Sequence, residues 1–317
     1  MEKIDILIIL FFLTIFVAAQ LNGWYDVTTP VYEQGVVENR EGAFNLPLLY
    51  YIGVVAHSAV GQVAFTFLPL MFLLVTVFYL IKAFNLFSLQ KEIILIGFLS
   101  TSRWIPTLNF FNRDNLMFAL ASAFAYLFFK AVYKKSHSAL LWQLPVLALM
   151  FFTKTTGTLF VFIFLIEVVY FFREKITSFF PAVVLGDMVK EHLNQILGAI
   201  EAAPRIELFH VLAFAANPVF GASAIVFLKK RKNVIHLGIL ALTLLSMGAL
   251  FALGGGYDYT GRFLRYTNPL IPFHLFLFAY AVGEVRGLRW IKVLGVFAVA
   301  KIVSGYFYLD AVWKVFM

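Results

Sequence analysis

Cysteine is absent from this chain. Disulfide bridges and thiolate metal sites are therefore excluded, and cysteine usage gives no indication of redox compartment. Charge is also scarce: 13% of residues are Asp, Glu, Lys or Arg, while 62% are hydrophobic, far above the roughly half apolar usage of a soluble domain. Neither an internal repeat nor a low-complexity tract is visible, and no composition break marks off a soluble domain. What is present is hydrocarbon. A mean hydropathy of +0.88 is that of a polytopic membrane protein. The first apolar run, Ile4 to Ala19, has the length of a secretory signal core, but no small-residue cleavage site follows it, so it is expected to be a retained helix.

Apolar runs bounded by charge lie at 4–20, 62–82, 88–105, 114–132, 139–152, 157–172, 207–228, 234–253, 268–284 and 291–309. The clusters Lys82–Lys91, Lys130–Lys135, Arg173–Lys175, Lys229–Lys232 and Arg286–Lys292 are rich in cations and belong in the cytoplasm by the positive-inside bias. Spans ending at Phe172 and Leu228 would then both run inward, so one further crossing is needed between them. Ile176–Met188, broken by Pro181, is the candidate. The expectation is an all-α membrane helix bundle of about eleven transmembrane helices. It forms a single integral membrane domain, 1–317, multi-pass in the cell membrane with a cytoplasmic N-terminus. The cationic loops account for the net charge of +8, and nucleic acid is not implied.

That orientation places the first loop, 21–61, outside. Residues 22–42 gather Asp26, Glu33, Glu38 and Glu41 against one cation, Arg40. A segment at 187–206 is outside as well. Its polar positions Asp187, Lys190, Glu191, Asn194 and Gln195 oppose Val189, Leu193, Ile196, Leu197 and Ile200, which suits either a helix in the headgroup layer or one facing a partner. Leu46–His57 is short for a span and is expected to follow the outer interface or to re-enter.

Several cations remain on the outer side without a topological reason: Arg103, Arg113, Lys154, Arg262 and Arg265. A charge at a span centre costs about 2.5 to 3.5 kcal/mol on insertion scales, so such residues pair or face a wet cavity. Lys154 sits in FFTKTTG between two short spans, each about 21 to 24 Å long at 1.5 Å per residue against a hydrocarbon core of roughly 30 Å. The hairpin tip should therefore lie below the surface, lined by Thr153, Thr155 and Thr156, unless Lys154 snorkels to the interface. Arg262 and Arg265 follow GGGYDYTG on one helical face, where they suit a phosphate clamp or an ion pair with Asp258 or Glu33. Asp114 opens a span directly after Arg113, where a carboxylate also serves as a cap or complements the helix dipole.

The order of these features resembles the membrane half of GT-C glycosyltransferases, the multi-span enzymes that include protein O-mannosyltransferases and lipid A aminoarabinose transferases. An acidic first loop is followed by NLPLLYYIGVVAHSAVG, then SRWIPTLNFFNRDNLMFALASAFAYLFF, LALMFFTKTTGTLFVFIFL and finally GRFLRYTNPLIPFHLFLFAYAVG. The likeness is closest over residues 1–172. It implies that Asp26 is the catalytic carboxylate, with Asp114 and Lys154 as the second-loop acid and the hairpin lysine. In those families two acids often stand together in the first loop, whereas Val27 and Thr28 follow Asp26 here. Glu33 is the candidate for the second carboxylate. Asn45-Leu46-Pro47 likewise lacks the doubled proline of the family pattern, and no soluble domain is expected beyond the last span.

The implied chemistry is transfer of a sugar from a polyprenyl-phosphate-linked donor to an acceptor hydroxyl, with inversion at the anomeric carbon. It needs a base, Asp26, and cations on the leaving phosphate, for which Arg113, Lys154, Arg262 and Arg265 are the candidates. The acceptor is a lipid, a glycan or a protein. Tyr50 and His57 either line the donor groove or anchor the interface. No metal is required, although Asp26 and Glu33 would suit magnesium or manganese. His210, His236 and His274 show no ligand spacing, and the phenylalanines at 124–129 and 160–172 read as core and lipid contacts. Two other classes compete: a transporter or lipid flippase, and a noncatalytic subunit of the same fold.

Overall fold

A computed structural model describes residues 2–21, 29–40, 47–95, 109–154, 157–172 and 270–283. These are helical, with no strand among the described residues. The expected spans at 176–188, 207–228, 234–253 and 291–309 and the amphipathic segment 187–206 lie outside them. The elements are α1 (Lys3–Leu21), α2 (Thr29–Val37), α3 (Leu48–Val60), a 3-10 turn (Gly61–Val63), α4 (Ala64–Leu86), α5 (Arg113–Lys134), α6 (His137–Thr153), α7 (Gly157–Phe172) and α8 (Ile271–Gly283). Among the described residues, three stretches are long and apolar enough to cross a membrane: Lys3–Leu21, Leu48–Leu86 and Arg113–Lys134. In hydrocarbon the backbone has no solvent to bond to, so apolar runs of this length satisfy their own N–H and C=O groups as helices.

Three helix starts have a local cause. Asn112 caps α5, its side chain accepting from the Asn115 N–H at 2.7 Å, and Ser136 caps α6 by accepting from the Ala139 N–H at 3.3 Å. Between them Lys135 takes a left-handed conformation, φ 50°, which lets α5 stop and the chain reverse within two residues. The turn from α6 to α7 is equally tight. A Cβ at Gly157 would lie 2.6 Å from the Met150 carbonyl oxygen, so the glycine allows α7 to begin directly against the last turn of α6.

The α4, α5 and α6 helices form the centre of the bundle. α1 lays one stripe against it, with Asp5, Ile8, Phe12, Phe16 and Ala19 buried at helical spacing. The main core is rich in phenylalanine. Phe273 and Phe276 of α8 meet Phe124, Phe128 and Phe129 of α5, Phe160 of α7, and Phe84 and Phe87 at the end of α4. A second core, formed by Tyr32, Val36, Leu49, Tyr50, Phe65, Leu68, Phe72, Phe111, Leu116 and Ala119, lies beneath α2 and α3.

Side-chain pairings fix which ends of the helices lie together. At one end Lys91 meets the start of α1, donating to Glu2 Oε2 at 2.7 Å and to Asp5 Oδ1 at 2.6 Å. At the opposite end Gln20, one residue before the end of α1, donates to the Asn109 carbonyl at 2.7 Å. α4 and α5 run parallel: Asn115 reaches the Pro69 carbonyl near their starts, and Phe87 meets Tyr133 near their ends. Lys91 and Asn109 therefore occupy opposite ends of the bundle, and the span expected at 88–105 is described only in part. Its residues from 96 onward lie outside those described.

Candidate functional site

The end of the bundle opposite Lys91 holds three of the residues singled out by their sequence context, Arg113, Asp114 and Lys154. Asp114 is the second residue of α5 and Lys154 follows the last residue of α6. The hairpin between α6 and α7 brings Lys154 to the start of α5, where its ammonium donates to Asp114 Oδ1. Lys154 is 6% exposed and Asp114 4%. The lysine is thus drawn into the bundle. α6 has 17 residues and α7 has 16, so each rises only about 24 to 26 Å against roughly 30 Å of hydrocarbon. Thr153 is buried beside Lys154, with its hydroxyl donating back to the Leu149 carbonyl at 2.7 Å. Thr155 and Thr156 lie outside the described residues.

The cap expected of Asp114 is supplied by Asn112. Asp114 is left to face Lys154, close to the positive end of the α5 dipole. Neutralisation of a buried cation by a buried carboxylate is what allows both to remain inside.

Arg113 points toward the first loop. Its Nε donates to Tyr32 Oη at 2.7 Å, and the guanidinium lies over the Tyr32 ring, 5.3 Å from the centroid. The two Nη nitrogens carry no further hydrogen bond among the described residues. Tyr32 belongs to α2, so Arg113 is the link between the first loop and α5. Glu33, the next residue of α2, is half-buried, and burial pushes its carboxyl above the ordinary glutamate value. α2 sits close because position 53 of α3 is glycine: a Cβ there would lie 2.7 Å from Val36 Cγ2 and 2.8 Å from Phe111 Cζ.

Tyr50 is 8% exposed and packs in the second core. His57 is half-buried, stacked on Phe65 with centroids 5.4 Å apart, and its Nδ1 is buried without a hydrogen-bond partner among the described residues. Asp26, Arg262 and Arg265 lie outside the described residues. The structure therefore gathers Arg113, Asp114 and Lys154 at one end, with Glu33 on the helix that Tyr32 ties to Arg113. No cluster of three metal-ligating side chains occurs among the described residues.

Two buried polar constellations did not emerge from the sequence. Lys91 belongs to a cationic cluster expected in a loop, yet it is 5% exposed and bound by Glu2 and Asp5. Gln143 and Glu167 meet between α6 and α7. The available signal was a lone carboxylate, Asp5 or Glu167, inside an apolar run. Comparison of the chain with protein families, with curated proteins and with solved structures gives no match.

Proposed function

We propose that the chain is a membrane glycosyltransferase of GT-C type that transfers a sugar from a polyprenyl-phosphate-linked donor to an acceptor hydroxyl. The observation that carries this reading is the meeting of Asp114 with Lys154, at the same end of the bundle as Arg113 and the acid-bearing first-loop helix. In the proposed reaction the acceptor oxygen attacks the anomeric carbon, and the bond from that carbon to the phosphate oxygen breaks. The lipid phosphate leaves with the electron pair, and the acceptor proton passes to Asp26.

In this reading Arg113 grips the departing phosphate through its Nη nitrogens, which carry no hydrogen bond among the described residues, a geometry suited to bidentate contact. Lys154 adds positive potential from within its pair with Asp114. Arg262 and Arg265 would complete the phosphate contacts, Glu33 would support Asp26, and Tyr50 and His57 would border the donor. The positive-inside bias of the cationic loops would put this chemistry at the outer face of the cell membrane.

Incubation of the purified protein in lipid with a panel of radiolabelled polyprenyl phosphate sugars tests the proposal. Transfer, or donor hydrolysis, that is lost in Asp26→Asn supports it. A second reading, a noncatalytic subunit, draws on the mutual neutralisation of Asp114 and Lys154. It is favoured if no donor is turned over while the protein copurifies stoichiometrically with an active transferase.

A further inference from the structure

Gln143 of α6 and Glu167 of α7 are 0% and 1% exposed. Gln143 Nε2 donates to Glu167 Oε1 at 2.8 Å, while the other two oxygens, Gln143 Oε1 and Glu167 Oε2, are buried without a hydrogen-bond partner among the described residues. The pair lies between apolar layers. On α6 it is flanked by Leu140 and Leu147, and on α7 by Ile163, Phe164, Val168 and Phe171, all within the hydrophobic clusters. No ion pair reaches Glu167 among the described residues. The α5 cations toward that end, Lys130 and Lys134, lie over the rings of Tyr126 and Phe87, and His137 of α6 meets the edge of Phe171.

An ionised Glu167 would have only acceptor oxygens, and so would leave a full charge and two unsatisfied acceptors in hydrocarbon. A single proton removes all three defects. With that proton on Oε2, the acid donates to Gln143 Oε1 while it accepts at Oε1, the paired hydrogen bonds of an acid and an amide.

We infer that Glu167 is a proton-binding site within the bundle, held as the neutral carboxylic acid and clipping α7 to α6 below the hairpin tip that carries Lys154. The clip is independent of sugar transfer. It serves to hold the hairpin in one register, because an acid and an amide match each other only when the two side chains are level.

Infrared spectra of the full chain in lipid bilayers at neutral pH, with the glutamate carboxyl carbons isotopically labelled, read the protonation state directly. The expected result is a label-shifted band of a protonated carboxyl in the wild type that vanishes in Glu167→Gln, where an amide pair preserves the two-bond contact. Should Glu167→Gln not fold, Gln143→Leu provides the second reading, because loss of the amide partner moves the same band toward that of an unbonded acid. A wild-type spectrum without a protonated glutamate band, or a band unchanged in Glu167→Gln or in Gln143→Leu, overturns the inference.

Discussion

Lys154, at the tip of the α6–α7 hairpin, is bonded to Asp114 at the start of α5, and both side chains are buried. The pair joins three helices at one point. It is also the only contact between an acid and a cation from the candidate residues that is seen among the described residues.

Removal of either partner takes the opposite charge away from the other inside the bundle. Asp114→Asn and Lys154→Gln should each lower stability by about 3 to 5 kcal/mol. Asp114→Leu combined with Lys154→Met should cost much less than the sum of the single changes. Thermal unfolding of the four proteins in the same lipid, analysed as a double-mutant cycle, checks this, and strictly additive losses would refute an energetic pair.

Asp26→Asn should abolish transfer of sugar while membrane insertion and melting temperature stay near those of the wild type. A first-loop carboxylate that acts as a base contributes to the reaction rather than to the core. Wild-type turnover by the variant would remove Asp26 from the mechanism.

Arg113→Gln should weaken donor use by about tenfold to a hundredfold, the loss of one charge-assisted hydrogen bond to phosphate worth about 1.5 to 3 kcal/mol. Tyr32→Phe, which removes only the hydroxyl that accepts from Nε, should have a smaller effect. Initial rates against donor concentration separate the two, and equal losses would make Arg113 a tether for α2 and not a phosphate ligand.

Gly53→Leu should push α2 off α3, because even the first added carbon meets Val36 and Phe111 at under 3 Å. An overpacking cost of about 1 to 3 kcal/mol is expected, together with faster proteolysis near residues 29–37. Unchanged protection of α2 would show that the neighbouring side chains yield instead.

Glu33 supplies a pH dependence whose sign follows from its burial. Its carboxyl binds a proton more tightly in the folded chain than in the unfolded chain. The protonated form is therefore favoured by folding. That contribution is present at low pH and is lost as pH rises through the raised folded value. Stability should fall across the window just above the ordinary glutamate value, and Glu33→Gln should flatten the profile. Melting temperature followed as a function of pH in both proteins tests it.

Part of this molecule is legible in one dimension. The runs at 4–20, 114–132, 139–152 and 157–172 appear as α1, α5, α6 and α7 to within two residues at each end, because helix formation in hydrocarbon depends on the length of an apolar run and little else. Leu46–His57, too short to be a comfortable span, becomes α3 and continues through a 3-10 turn into α4. How closely α2 approaches it depends on Gly53, which leaves room for Val36 and Phe111, residues far from it in the chain. The loop cation Lys91 and the carboxylate Asp5 are separated by 86 positions, and nothing in either neighbourhood announces the other.

The sequence by itself determined that this protein is helical and apolar enough to live in a membrane, since both follow from local hydrogen bonding and hydrocarbon content. Tertiary structure alone decided which charges meet. Asp114 with Lys154, Asp5 with Lys91 and Glu167 with Gln143 are pairings across helices, selected because a buried polar group without a partner is costly and because packing determines which partner is within reach.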